Sequence, residues 1–433
     1  MDRRHFLKSK ATLTMAISGY TFFPDLLFGA SGGKNKKSYI EYVRKSSLTK
    51  EVIDVFLEEN SWAQFDPEVG YIMGNYMPHD GMDGSSTIST SKNRMRYNQI
   101  YNSKPCRINT YGNSFTQCHQ VSDGETWQEY LAAHLGEPIR NFGMGGLGTY
   151  QAYKRMLREE QSDHEAEYLI LYLWGDDYMR SLLRCRYILF YPRWDNFDGY
   201  MFHGNFWSNI EMDLTSGKLA EKENILNTPE SVYKMMDEDF LVDALKDDLM
   251  LQLSLIVRSQ VNTDLDVKGL KALADIYDLP EIDFKDEKNT YKTANALRNT
   301  YAFDATKYIL KKASAFVEKH GKKLMILHLD PYNVLQTLLQ KGTRYDQEVV
   351  DYLNKNNYLY IDMNEVHVID FKNFILSFDD YMKRYFIGHY NPSGNHFFAY
   401  ALKNKVVEWL DPKPITYRKD DSKMVDFNGY LPE

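Results

Sequence analysis

A serine hydroxyl becomes a nucleophile only when a base takes its proton, and the oxygen that then turns negative needs N–H donors close by. Ser114 stands in Tyr111-Gly112-Asn113-Ser114-Phe115-Thr116, where a strand candidate ends at a glycine that can expose the hydroxyl above a sheet edge. The base must come from elsewhere in the chain. His389 is placed for it: the Asn391-Pro392-Ser393-Gly394 that follows reads as a turn and helix start, leaving His389 on the loop before it. Imidazole, with a pKa near neutrality, serves as both base and acid. His396 competes for the role, but the same reading puts it inside the helix.

These residues need a scaffold that brings distant segments to one edge. Short strand candidates fall at Arg107 to Tyr111, Ile139 to Phe142, Glu167 to Trp174, Lys323 to Leu329 and Tyr358 to Met363. Helical spacing covers Glu125 to Leu135, with Asp123 as its cap, then Thr149 to Glu160, Arg344 to Asn354 and Asn391 to Leu410. Strands alternating with helices predict a parallel sheet covered on both faces, with sites outside the carboxyl ends of its strands. The alternation breaks between about 180 and 320, a large insertion that is aromatic and irregular over 185–210 and mostly helical over 230–320. Its aromatic residues (Tyr187, Phe190, Tyr191, Trp194, Phe197, Tyr200, Phe202, Phe206, Trp207) read equally as a cleft wall and as packing. Residues 31–104 read as a linker and irregular loops, and 411–433 as a tail.

Whole-chain properties narrow the function. A net charge of −8 shows no broad basic face and argues against nucleic acid. The first 30 residues carry Arg3-Arg4, an apolar stretch and small residues near Gly29, a twin-arginine export pattern that points to a periplasmic or extracellular protein. No later apolar run reaches the length of a membrane-spanning helix. Cys106, Cys118 and Cys185 allow at most one disulfide, and no C-x-x-C pair suggests zinc, so no metal or cofactor is implied.

In their order, four blocks resemble the SGNH (GDSL-type) hydrolases, serine esterases and acyltransferases. They are Gly112-Asn113-Ser114, the run Asn141-Phe142-Gly143-Met144-Gly145-Gly146, Trp174-Gly175-Asp176-Asp177, and Gly388-His389 before the last helix. The resemblance implies a three-layer α/β/α, flavodoxin-like parallel sheet over 105–410. It makes Ser114 the nucleophile and an oxyanion donor through its N–H, Gly146 (or Gly143) a second donor, and His389 the base. Residues 1–104 and the insertion lie outside it.

Three positions depart from the family's pattern. Asn113 replaces its aspartate, a mild change in a turn. Asp176 replaces an asparagine that donates to the oxyanion. An ionised carboxylate about 4 Å from that oxygen would add some 4 kcal/mol of repulsion at an effective dielectric near 20, so Asp176 must be protonated or turned away. Asn113 is then a candidate for the missing amide. Phe386 stands where the family places the acid that holds the histidine. Asp379, Asp380, Asp176, Asp177 and a backbone carbonyl are the open alternatives. The expected activity is hydrolysis of ester bonds, O-acyl groups on carbohydrate, in a small-molecule or polysaccharide substrate. Acyl transfer to a polysaccharide and a glycan-binding protein with a decayed site are the rival expectations.

Overall fold

The computed structural model describes residues 36–58, 61–75, 94–194 and 200–418. The leader expected at 1–30, the Gly81-to-Thr87 segment and the tail beyond Arg418 lie outside them. The described chain has nine strands. Strands β1 (Ala63–Asp66) and β2 (Gly70–Met73) form an antiparallel hairpin. Then come β3 (Ile108–Tyr111), β4 (Arg140–Asn141), β5 (Tyr168–Leu173), a second hairpin of β6 (Asn209–Asp213) and β7 (Lys218–Lys222), β8 (Lys323–His328) and β9 (Tyr360–Asp362). The parallel sheet runs β4-β3-β5-β8-β9. Its chain order reverses between β3 and β5, the switch point at which such sheets open a crevice for a site.

Burial on both faces explains why β5 reads as an unbroken apolar run. Tyr168, Ile170 and Tyr172 pack into one core layer, with the helices Trp127–Leu135 and Pro392–Trp409. Leu169, Leu171 and Leu173 point the other way, with the helix Thr149–Glu159 and the second half of the 33-residue helix Glu287–Lys319. That long helix makes the inserted region part of the main core, since Ile309, Leu310 and Ala313 are fully buried in the same layer as the sheet.

Several expectations need correction. Residues 36–75 are not a linker with loops: helices Tyr39–Arg44 and Lys50–Glu58 precede the β1–β2 hairpin, and Tyr39, Ile53 and Tyr71 are fully buried. The β6–β7 hairpin was also hidden, because β7 (Lys-Leu-Ala-Glu-Lys) is polar and has no fully buried residue. The insertion's aromatics pack inward: Tyr187, Phe190, Phe202, Phe206 and Trp207 are all buried in the core, while Phe197 lies outside the described residues. The helix expected from Glu125 begins at Trp127 and is capped by the Thr126 hydroxyl, not by Asp123. All three cysteines are free.

Polar residues tie the sheet to its helices at one buried carboxylate. Glu160 accepts from Asn109 Nδ2 (2.7 Å), the Tyr111 hydroxyl (2.6 Å) and the Ala166 N–H (2.8 Å), and pairs with Lys322 Nζ at 3.1 Å. It thereby joins β3 to the segments that enter β5 and β8. Removing one member of a buried ionic network leaves its partners desolvated and unpaired, at about 3–5 kcal/mol. Glu160→Ala is therefore expected to lower the urea-unfolding free energy by about that amount; a loss below about 1 kcal/mol would show that the network is not structural.

Candidate active site

The turn after β3 is built around Ser114. Gly112 has φ +156°, and a Cβ there would lie 2.3 Å from Thr116 Oγ1 and 2.9 Å from Tyr172 Cβ, so only glycine fits. Asn113 caps the short helix Ser114–Gln117, its side-chain oxygen accepting the Phe115 N–H at 2.8 Å. Ser114 is the first helical residue, with its hydroxyl near the carboxyl end of β3.

His389 meets it from the far end of the chain. Its Nε2 lies 2.7 Å from Ser114 Oγ, and both residues are buried. The histidine sits in a tight turn in which the Ile387 N–H donates to the His389 carbonyl and Phe386 stacks on Tyr390 at 4.5 Å. Asn391 caps the following helix at the Gly394 N–H, and Pro392 is its first residue. His396 is inside that helix, exposed and edge-on to Tyr130, apart from Ser114.

The group that orients His389 was not foreseen. Gln120 Oε1 accepts the His389 backbone N–H at 2.9 Å and lies 3.0 Å from Nδ1. A backbone N–H can only donate, so the atom facing it is the amide oxygen, and Nδ1 must then carry a proton. That leaves Nε2 with its lone pair aimed at the Ser114 hydroxyl, the tautomer a general base needs. Gln120 adopts a left-handed conformation (φ +75°) in the turn after the Ser114 helix. Arg96 holds this turn: its guanidinium donates to the carbonyls of Gln117 (2.7 Å), Cys118 (2.6 Å) and Val121, and pairs with Asp123 at 2.9 Å. No residue-type pattern advertises a glutamine in this role, and Arg96 lies upstream of every block that does.

The proposed acids are elsewhere. Asp379 and Asp380 are exposed at the start of the helix Phe378–Tyr385, where Ser377 caps the Asp380 N–H. Asp177 is buried but faces Asn113 Nδ2 (2.6 Å), the Trp174 N–H (3.2 Å) and Arg180 Nη1 (3.2 Å). Burial pushes its carboxyl up to about 8 against the pull of Arg180 and Asn113. Asp176 turns to Arg180 Nη2 at 3.2 Å, so it takes the turned-away alternative and its charge is paired. Asn113 gives its amide to Asp177 and its oxygen to Phe115; it clamps the turn rather than replacing the missing amide.

Backbone donors remain. Among the described residues, neither the Ser114 N–H nor the Gly146 N–H donates to any partner, whereas the Gly143 N–H bonds Asn141 Oδ1 at 2.9 Å and the Gly145 N–H bonds Gln117 Oε1 at 2.8 Å. This favours Gly146 over Gly143 as the second donor. Gly146 has φ +84°, and a side chain there would run into the Tyr71 hydroxyl and Arg186. Tyr71 and Arg186 come from outside the sheet, so the β1–β2 hairpin and the inserted region together wall the glycine run.

Burial lowers the His389 pKa well below its ordinary value, and His119 and Arg180 add to this. No group of three or more His, Cys, Asp or Glu among the described residues could hold a metal ion. No family model matches the chain, and no curated protein does.

Three outcomes test this geometry through the reaction of Ser114 with an aryl phosphonate. Because the lowered pKa keeps His389 neutral, the rate should hold as pH falls through the ordinary imidazole range near 6.5 and drop only at well lower pH. Gln120→Glu sets a carboxylate beside Nδ1, favours the imidazolium and moves that drop to higher pH. Gln120→Ala should slow the reaction by about 10²-fold or more, as expected for a misdirected base. An unchanged rate and pH profile in both variants would remove Gln120 from the site.

Proposed function

We propose that this chain is a serine esterase of the SGNH type that removes O-acyl groups from carbohydrate, exported by its twin-arginine leader. The 2.7 Å contact between Ser114 Oγ and His389 Nε2, with Nδ1 held by Gln120, carries the reading. The order of its four motifs and the flavodoxin-like strand order β4-β3-β5-β8-β9 support the family. The carbohydrate part rests on the export signal and on the habit of the family that the motifs resemble.

The reaction follows from these groups. Ser114 Oγ attacks the acyl carbonyl while His389 Nε2 takes the hydroxyl proton, and the oxyanion points at the N–H groups of Ser114 and Gly146. Collapse breaks the ester bond, and the imidazolium returns its proton to the departing sugar oxygen. Water then attacks the acyl-serine with His389 again as base, releasing the acid and restoring the hydroxyl. Gln120 differs from a carboxylate in this cycle: it fixes the tautomer and ring but adds no negative charge to stabilise the imidazolium. Arg180 pairs with both Asp176 and Asp177, and because burial raises the Asp177 carboxyl to about 8, its single charge is matched by Asp176 at neutral pH.

An aryl acetate and an aryl phosphonate test the proposal together. Acetate release with phosphonate bound at Ser114, both abolished in Ser114→Ala and His389→Ala, is the expected result. Neither labelling nor turnover by the native protein would overturn it and leave a binding protein. Acetate appearing on an added oligosaccharide instead of in solution would make it an acyltransferase.

A further inference from the structure

A separate cleft of about 390 Å³ lies between the first half of the helix Glu287–Lys319 and the segment from Pro331 to Tyr345. Its size falls at the small end of ligand pockets. One wall is a helix face, since Tyr291, Asn295, Arg298 and Ala302 recur at helical intervals. The facing wall repeats the pattern with Asn333, Gln336, Thr337 and Gln340, where a π turn at Pro331–Leu335 passes into the helix Gln336–Lys341. Tyr178 and Phe303, packed edge to face at 5.5 Å, close it on the sheet side.

The lining chemistry is selective. Five carboxamides line this space (Asn295, Asn299, Asn333, Gln336 and Gln340), a group that can both donate and accept, with Asn295 Oδ1 already accepting from Arg298 Nη2 at 2.8 Å and Asn333 Nδ2 already donating to Asp330 at 3.2 Å. An acyl chain would be met by an apolar wall instead. A phosphate group would be met by cations aimed at it, but Arg344 is engaged by Asp346 at 2.6 Å and by Asp362, and Arg298 Nη2 donates to Asn295 Oδ1 at 2.8 Å, which leaves Lys341, at the end of the helix Gln336–Lys341, as the one other cation of the lining. Sugar hydroxyls both donate and accept, and the C–H faces of a sugar ring are apolar. The cleft supplies the complement to both: the carboxamides, and the rings of Tyr291 and Tyr345, 41% and 39% exposed at its rim. It also adjoins the site. Gly175 and Asp176, which follow β5, line it, and the Tyr332 hydroxyl in its wall donates to the carbonyl of Gly388, next to His389, at 2.9 Å.

We propose that this cleft is a saccharide subsite, holding sugar rings beyond the one whose ester is cleaved. The inference rests on the esterase reading but is tested apart from it. Asn299→Ala/Gln336→Ala and Tyr291→Ala are compared with the native protein on 4-nitrophenyl acetate and on O-acetylated hexasaccharides, one a neutral xylan fragment and one a uronate. The expected result is a KM at least tenfold higher for an acetylated hexasaccharide, with aryl acetate turnover unchanged. Calorimetry of Ser114→Ala with the deacetylated hexasaccharides gives a second readout, and the cleft substitutions should abolish the binding. An unchanged hexasaccharide KM, or no binding of either hexasaccharide, would overturn the subsite. If the native protein fails to cleave even the aryl acetate, the esterase reading falls while calorimetry still decides the cleft.

Discussion

One side-chain oxygen holds the reactive pair in register. Gln120 Oε1 faces two nitrogens of the same histidine, its backbone N–H and Nδ1, so ring position and tautomer are set by a single acceptor. A carboxylate in this buried place would add charge stabilisation to the imidazolium but carry a desolvation penalty of several kcal/mol. The amide avoids that penalty and leaves His389 less basic. Such an amide is useful only if its own backbone is rigid. Three carbonyls and a carboxylate of the Gln117-to-Asp123 turn converge on Arg96, and a planar guanidinium with five donors can satisfy them together where lysine could not.

The charges around Ser114 follow the same economy. Asp176 and Asp177, in the turn after β5, both turn to Arg180. Asn113 bonds Asp177 while capping the Ser114 helix, so the ends of β3 and β5 are joined across the switch point by one amide. Among the described residues the donors left open in these turns are the backbone N–H groups of Ser114 and Gly146, which carry no side chain to misplace.

Features that depend on local pattern were legible in the sequence. β5 and β8 are apolar runs, Ser114 follows the glycine that ends β3, and His389 precedes the Asn-Pro start of the last helix. Three kinds of feature were not legible. Gln120 acts through a left-handed turn fixed by an arginine 24 positions upstream, which no spacing rule links to it. The β1–β2 and β6–β7 hairpins are short and partly polar, so tertiary packing decides them. Sequence points to aspartates for the orienting role because carboxylates usually hold such a histidine, whereas the geometry needs only an acceptor, which Gln120 provides.

The helix Glu287–Lys319 explains why the insertion cannot be set aside as an appendage. Across its length the apolar stripe does not stay continuous, because the two halves answer to different surroundings. Ile309, Leu310 and Ala313 cover the sheet and are fully buried, as a helix between β5 and β8 must be. One turn after another toward its start, the same side of this helix changes from aliphatic to polar, with Arg298, Asn295 and Tyr291, and there it faces the cleft beside the Gly388–His389 turn. A rigid helix anchored in the core at one end holds its polar end in a fixed position, which is what a binding wall requires and what a loop of the same length would not provide.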